Sequence, residues 1–529
     1  MNDTPAGERP SAAESKRPRV LYLSAAAIIA VAAVLLLWQP WRSRDPLAAF
    51  ADIRFIDSVA VLPVENRTGD PAMQHLCSGI TDEIIGRLKQ AGSIKVSDPY
   101  SVQSLLALGL STRELADSLG VEKLVFGSLY ETADGVRLNV RVAEGRTGDV
   151  LSTQRYDWGS NDGFETALTL AQFFVDDYVA SIPLVTVPSR RPIAHGPGHE
   201  SYLVGRNWLG RRTAEGLARA RRAFERAIAL DSSYAEAYAG LSSVYALSLA
   251  YRYDIGMPGY RVAGLSLAMA NRAIQLDANS ASGYSARGYL GSRSFAPVSQ
   301  VASDCRRAID LEPSAADVLS WCARVLNQRG DVEAAFRAAE QAIALDPQNA
   351  GRRLALAYDA LALGRYERAI SEAVLAHELE PDLMLPRAIE ARARLLAGAA
   401  EECLALDLGP HAGIRATCLH ELGRRAEAVA IIDSLSAALE SGMLEDSVYT
   451  EVVRVEDLAS YYAWIGNASA ALRWVDRAYE LSPSGVEPRV LESALFRRVS
   501  EDPRFQREVA RIREGIWERV VREGRAIAD

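Results

Sequence analysis

Asp310-Leu311-Glu312-Pro313, Ala344-Leu345-Asp346-Pro347 and Glu378-Leu379-Glu380-Pro381 are three versions of one phrase, and their prolines stand 34 residues apart. Counting back from each proline finds small residues at fixed offsets. Ala308, Ala342 and Ala376 lie five residues before it, and Cys305, Ala339 and Ala373 eight before. Such positions are where helices touch. Gly330 and Gly364, 17 residues before their prolines, fall where a turn between two helices favours a residue free to take positive φ. The unit is therefore a pair of helices. One pair alone cannot bury its apolar face, so neighbouring copies must stack into an array.

Earlier copies end at Ala229-Leu230-Asp231-Ser232 and Gln275-Leu276-Asp277-Ala278, with Ala227, Phe224, Ala273 and Ala270 at the same offsets. These two ends are 46 residues apart, and the excess of 12 is expected as a loop around Tyr251 to Tyr260, a candidate contact site. Leu422-Gly423 with Ala428 marks a worn copy, and Leu458, Tyr462, Gly466, Ala471, Ala478 and Pro483 a good one. Residues from about Met384 to Gly409 fit poorly. Period and residue types together resemble tetratricopeptide repeats over roughly Tyr202 to Pro483. The resemblance implies a superhelical solenoid with a concave groove, lined by the first helix of each repeat, that accepts a protein partner. The register places Ser320, Arg324, Asn327, Gln328, Leu354, Tyr358 and Leu361 in that groove. A clamp for a C-terminal carboxylate is not evident, because Leu354 and Tyr358 stand where Lys and Asn would be wanted.

Upstream the pattern changes. Ser58 to Val64 reads as a buried strand, followed by a turn-rich stretch from Glu65 to Pro71. Leu76, Ile80, Ile84 and Leu88 form the stripe of an amphipathic helix with Asp82, Glu83 and Arg87 expected toward water. Strands are expected at Ile94 to Ser97 and Leu124 to Tyr130, a helix at Thr112 to Leu119, and an alternating strand at Val136, Leu138, Val140 and Val142. A hairpin at Thr147-Gly148-Asp149 leads into Leu151 to Tyr156, and a helix around Phe164 to Val179 closes a mixed α/β unit. Val59-Ala60-Val61-Leu62-Pro63, Glu65-Asn66, Gly69-Asp70-Pro71, Gly79-Ile80-Thr81-Asp82-Glu83-Ile84, Leu119-Gly120-Val121 and Gly127-Ser128 resemble the TolB-like domain of bacterial membrane signalling proteins. Thr147-Gly148 leading to Arg155-Tyr156-Asp157 continues the match. That family commonly places the domain between a transmembrane helix and tetratricopeptide repeats. Asn66, Gly69, Asp70 and Pro71 are weak candidates for a ligand-facing rim at a strand end, although Gly, Asp and Pro are also what a turn requires.

Val20 to Trp38 carries no charge, and at about 1.5 Å per residue it matches a bilayer of roughly 30 Å. The expectation is a transmembrane helix at 20–38. Arg9, Lys16, Arg17 and Arg19 precede it and only Arg42 and Arg44 closely follow, which places the N-terminus inside a bacterial inner membrane and the rest in the periplasm. The expected organisation is a cytoplasmic tail at 1–19, the span at 20–38 and a juxtamembrane linker at 39–56. The TolB-like unit follows at 57–182, a Pro/Gly linker at 183–199, the solenoid at 200–483 and C-terminal capping helices and tail at 484–529.

A net charge of −9 gives no electrostatic footprint for nucleic acid, so no nucleic-acid partner is expected. Cys77, Cys305, Cys322, Cys403 and Cys418 show no CxxC spacing and read as buried small residues. His195 and His199 have the look of a ligand pair, but they fall in the linker without a third ligand. No phosphate-cradling loop, nucleophile elbow or metal cluster stands out, so no cofactor, metal or catalytic residue is expected and the chain reads as a non-enzyme. The function expected is a membrane-tethered scaffold or sensor-adaptor that binds proteins through its repeats. The alternative is a receptor component of a signalling or transcription-regulatory system. Its output domain would lie on a separate chain, because 19 residues before the span are too few to fold one. A small-molecule ligand of the α/β unit has no direct support in the motifs.

Overall fold

The computed structural model describes residues 55–91, 93–159, 164–182, 198–312, 315–328, 331–441, 448–483, 488–491 and 494–528. The first part is a mixed sheet. It contains β1 (Asp57–Val61), the two-residue β2 (Glu65–Asn66), β3 (Ile94–Val96), β4 (Lys123–Thr132), β5 (Gly135–Glu144) and β6 (Val150–Gly159). β1 lies between β3 and β4 and runs parallel to both, while β4, β5 and β6 form an antiparallel meander. Alternation along the strands splits their side chains between two cores. Val59, Val61, Val125, Leu138 and Val140 pack with residues of α1 (Gln74–Gln90) and of a later helix that carries Phe174 and Val175. Ala60, Leu62 and Leu124 pack on the other face with α2 (Pro99–Leu106) and α3 (Thr112–Leu119). The later helix is α4 (Phe164–Ala180), so the unit has three layers. α3 begins with a capping box between Ser111 and Glu114 and ends at Gly120 in the left-handed region.

One expectation for α1 is corrected. Its stripe of Leu76, Ile80, Ile84 and Leu88 is buried as expected, but Glu83 is only 2% exposed. Arg87 pairs with it at 3.0 Å and Gln172 of α4 donates to the same carboxylate. Asp82, at the rim of this face, looks toward Arg206 of the helical region at 3.7 Å. The face read as wet is covered by α4 and by the first solenoid helix.

Helix pairs then follow from His199–Gly210 and Ala214–Leu230 through Val448–Trp464 and Ala468–Leu481, an all-α repeat solenoid of the tetratricopeptide type. Ala308, Ala342, Ala376, Cys305, Ala339 and Ala373 are all at most 3% exposed, as contact positions between stacked helices must be. Gly364 takes φ +70° at its turn. The poorly fitting stretch contains a helix at Leu385–Leu396 whose partner, Ala400–Leu404, is only five residues long. His199 is not a linker residue: it opens a helix, is buried, and lies 2.7 Å through Nδ1 from the Tyr234 hydroxyl.

The 46-residue copy is not a short-helix repeat with a long loop. Ala235–Tyr251 and Gly259–Leu276 have 17 and 18 residues, whereas Ala316–Gln328 and Val332–Leu345 have 13 and 14. Most of the excess is helix, and the added length receives the end of the chain. Ile516–Ala528 packs along Gly259–Leu276 so closely that a Cβ on Gly264 would stand 2.6 Å from the Cβ of Glu523. The Tyr260 hydroxyl donates to the Tyr479 carbonyl at 2.8 Å, and the Arg519 guanidinium lies 3.7 Å from the Tyr260 ring centroid. The C-terminal helices cover the last helix pair, with Pro503–Arg513 against Ala468–Leu481, and Ile516–Ala528 then reaches back to the second pair. The cysteines are buried as expected, yet four of them pair, Cys305 with Cys322 and Cys403 with Cys418, at Cα separations of 5.6 and 6.4 Å. Each pair joins consecutive helices.

The transmembrane helix expected at 20–38 lies outside the described residues. Among the described residues no helix is long and apolar enough to cross a membrane. The longest, Gly259–Leu276, is interrupted by Arg261 and Arg272. On that finding the fold class is corrected to an α/β unit followed by a helical solenoid, and the single-pass inner-membrane location is withdrawn.

Candidate functional site

The first helices of successive repeats converge on a cavity of ≈ 70 Å³. Five arginines line it, Arg212, Arg252, Arg293, Arg324 and Arg352, with Asp317 as the single carboxylate among them. Aromatic walls come from Tyr251, Tyr289, Trp321 and Tyr358, of which Tyr289 and Trp321 stack at 4.7 Å. Arg212, Arg293, Arg324 and Arg352 are no more than 6% exposed, so these cations lie where water can compensate them little.

Protein groups compensate some of this charge. Arg352 reaches Asp317 at 3.0 Å and also pairs with Asp346; Arg212 reaches Asp317 at 3.2 Å; Arg252 pairs with Glu456 at 2.6 Å. Nε and Nη1 of Arg212 and Nε of Arg352 are buried without a hydrogen-bond partner. Arg212 is held in the left-handed region at φ 54°, and its carbonyl accepts from the Tyr253 hydroxyl at 2.9 Å. A Cβ on Gly351 would displace the Tyr251 hydroxyl from the wall. Burial works against the charge of Asp317, but Arg352 and Arg212 outweigh it and hold that carboxyl below the usual range. The arrangement suits a negatively charged, partly apolar group: donors surround it and aromatic faces flank it.

Asp346 behaves oppositely. Burial pushes its carboxyl up to about 6, against the pull of Arg352 and of the hydrogen bond from Ser101. Between the ordinary value of 3.8 and about 6 the folded chain holds a proton there that the unfolded chain has released. The stability this contributes is complete below the lower value and is lost as pH rises through the upper one. The melting temperature of the natural chain, measured relative to Asp346→Asn, should therefore fall between pH 4 and 6. A difference that stays flat across that window would contradict the burial argument.

Of the residues the register placed in the groove, Ser320, Arg324, Leu354 and Tyr358 line this one cavity. Leu361 is 2% exposed, and Asn327 is half-buried away from it. Gln328 ends the helix Ala316–Gln328, and its side chain is outside the described residues. The groove is also not wholly open, because the sheet unit rests on it: Ser101 of α2 donates to Asp346, and Phe55 packs on Ala316, Leu319, Ala342 and Leu345. Asn66, Gly69, Asp70 and Pro71 sit elsewhere, in a turn closed on itself. Asn66 Nδ2 donates to the Asp70 carbonyl at 2.8 Å, its Oδ1 accepts from Thr68, and Gly69 takes φ +82°. Sequence reading missed Arg212, Arg252, Arg293 and Arg352 because they stand at turns and helix ends, where a 34-residue register ranks nothing.

No family model matches the chain. A curated protein of Rhizobium meliloti (strain 1021) named putative adenylate cyclase 3 is 26% identical over 256 residues, which cover 47% of this chain and 43% of that protein. The chain thus spans less than half the length of that relative. Its name overturns the exclusion of enzymatic activity drawn from the motifs, and that exclusion is withdrawn. Among solved structures, the tetratricopeptide protein TTC0263 of Thermus thermophilus is 21% identical with a TM-score of 0.30, covering 37% of this chain and 99% of its own. YrrB, a tetratricopeptide protein with an unusual peptide-binding site, is 16% identical with a TM-score of 0.24, covering 42% and 100%. Human IFIT1 with PPP-AAAA is 15% identical with a TM-score of 0.36, covering 60% and 79%. At these scores the repeat assignment rests on the helix pairs and their register.

Proposed function

We propose that the chain is a protein-interaction scaffold that holds an anionic segment of a partner in the concave face of its solenoid. The observation that supports this most directly is the group of five arginines against aromatic walls, contributed by several repeats at once. Ser320, Arg324, Leu354 and Tyr358 are its proposed contact residues. The sheet unit at 57–182 is proposed as TolB-like on the residues quoted above, with the solenoid at 200–483 and the closing helices at 484–529. Crosslinked affinity capture of the full chain, compared with Tyr358→Ala and Arg324→Gln variants of unchanged melting temperature, tests the reading. The captured proteins should change, and an acidic peptide should displace them. Equal partner lists would remove the concave face from the mechanism, and displacement by an oligonucleotide but not by the peptide would reassign the partner class.

The name of the curated relative favours a second reading, a component of a cyclic-nucleotide signalling system. Assaying cyclase activity of the chain alone, and of captured complexes, decides whether the chain carries, regulates or lacks that output.

A further inference from the structure

A second cavity, of ≈ 500 Å³, lies where the sheet unit meets the solenoid. α1 supplies Asp82 and Lys89, the first solenoid helix supplies Tyr202 and Arg206, and Tyr234, Glu236, Ser285 and Trp321 come from the repeats that follow. This is the size of a small-molecule site and far exceeds the voids of ordinary packing. Its charge is one-sided. Asp82, Asp98, Glu236, Asp277, Glu312 and Asp317 line it against Lys89 and Arg206. Asp317 is answered from the neighbouring cavity by Arg212 and Arg352, and Arg206 stands only 3.7 Å from Asp82, so a negative excess remains.

The protein does not satisfy all these groups itself. Asp82 Oδ2 accepts no hydrogen bond, and the Oγ of Ser285, a residue 6% exposed, has no partner. Burial raises the carboxyls of Asp82 and Glu236 above the ordinary range, the sign of negative charge held away from water. A metal ion does not match the arrangement: among the described residues no three His, Cys, Asp or Glu side chains converge closely enough to hold one. Separated carboxylates, with the rings of Tyr202 and Tyr234 packed edge to face at 5.1 Å between them, match separated cations on an apolar stem.

We propose that this cavity binds an organic oligoamine, with ammonium groups donating to Asp82, Glu236 and Ser285 and its methylene stem lying against Tyr202, Tyr234 and Trp321. The proposal is independent of the partner reading, because the ligand bridges the sheet unit and the solenoid inside one chain. Calorimetric titration of the full chain with spermidine tests it. One molecule should bind per chain with a dissociation constant on the order of micromolar, weakened about tenfold or more by Glu236→Gln and by Asp82→Asn. Without ligand, each variant should melt at or above the temperature of the natural chain, because burial disfavours the charged form of each carboxyl more than Arg206 beside Asp82 or the Ser280 hydroxyl donating to Glu236 favours it. Spermidine binding no tighter than Mg²⁺ at equal ionic strength, binding unchanged in both variants, or variants that melt lower would each overturn the proposal. So would a trilysine peptide binding more tightly than spermidine, since the occupant would then be a protein segment.

Discussion

Phe224→Ala should destabilise the solenoid by about 3–5 kcal/mol, near the upper limit for a single aromatic truncation. Phe224 is fully buried on Ala214–Leu230, between the helices His199–Gly210 and Ala235–Tyr251. Both neighbours meet its ring with a glycine. A Cβ on Gly205 would stand 2.6 Å from a ring atom, and a Cβ on Gly240 2.5 Å. Two helices thus approach the ring with bare backbone, and the one large side chain beside it, Tyr202 at 5.9 Å between ring centroids, is held by its own edge-to-face contact with Tyr234. The void therefore persists, which is the condition under which large-to-small changes are most damaging. The converse change, Gly240→Ala, should destabilise by about 1–3 kcal/mol through overpacking against the same ring. Urea unfolding followed by far-ultraviolet circular dichroism is the measurement. Because each repeat is stabilised mainly by its neighbours, the first helices should separate from the rest, and the transition should broaden or split instead of shifting as one. A single transition moved by less than about 1 kcal/mol would show that the helices can close over the gap.

The same locality explains what the sequence alone makes readable. The contact between Ala342 and its neighbours is made within one repeat length, so it leaves a mark at a fixed offset from Pro347, and counting recovers it. Leu76 to Leu88 were equally readable, because a helix on a sheet repeats its buried face every turn. Glu83 was misread for the complementary reason: what covers it is α4, whose Gln172 lies 89 residues further along. The meeting of Gly264 with Glu523 leaves no periodic trace at all. The arginine cavity was half legible. Arg324 and Tyr358 occupy equivalent register positions and were found together, whereas Arg212 and Arg252 depend on left-handed backbone at non-glycine residues, which nothing in the local sequence announces. The pairing of Cys305 with Cys322 was missed although its separation of 17 residues is half a repeat, the spacing that brings consecutive helices side by side.

Arg392→Met should cost about 3–5 kcal/mol, the range expected when one partner of a buried ion pair is removed. Arg392 is 1% exposed on Leu385–Leu396, and its guanidinium lies 3.1 Å from Glu456 and 3.4 Å from Asp457 on Val448–Trp464. Glu456 has a second cation in Arg252, at 2.6 Å, but among the described residues Asp457 retains only His411, at 3.4 Å. Methionine matches much of the volume, so the loss would report charge and not a cavity. Adding Asp457→Asn should therefore recover part of it, and the double-mutant cycle should give a coupling energy within about 0.5–3 kcal/mol. Additive losses would show that Arg392 acts through packing alone. The consequence reaches beyond stability, because Glu456 ties Arg392 to Arg252, and Arg252 lines the arginine cavity. With Arg392 gone, Glu456 is left to Arg252 alone and holds that guanidinium more tightly against the wall. Binding of an acidic peptide should then weaken in Arg392→Met even where the chain remains folded. Peptide affinity unchanged in a folded variant would mean that the cavity is insulated from the ion pairs behind it.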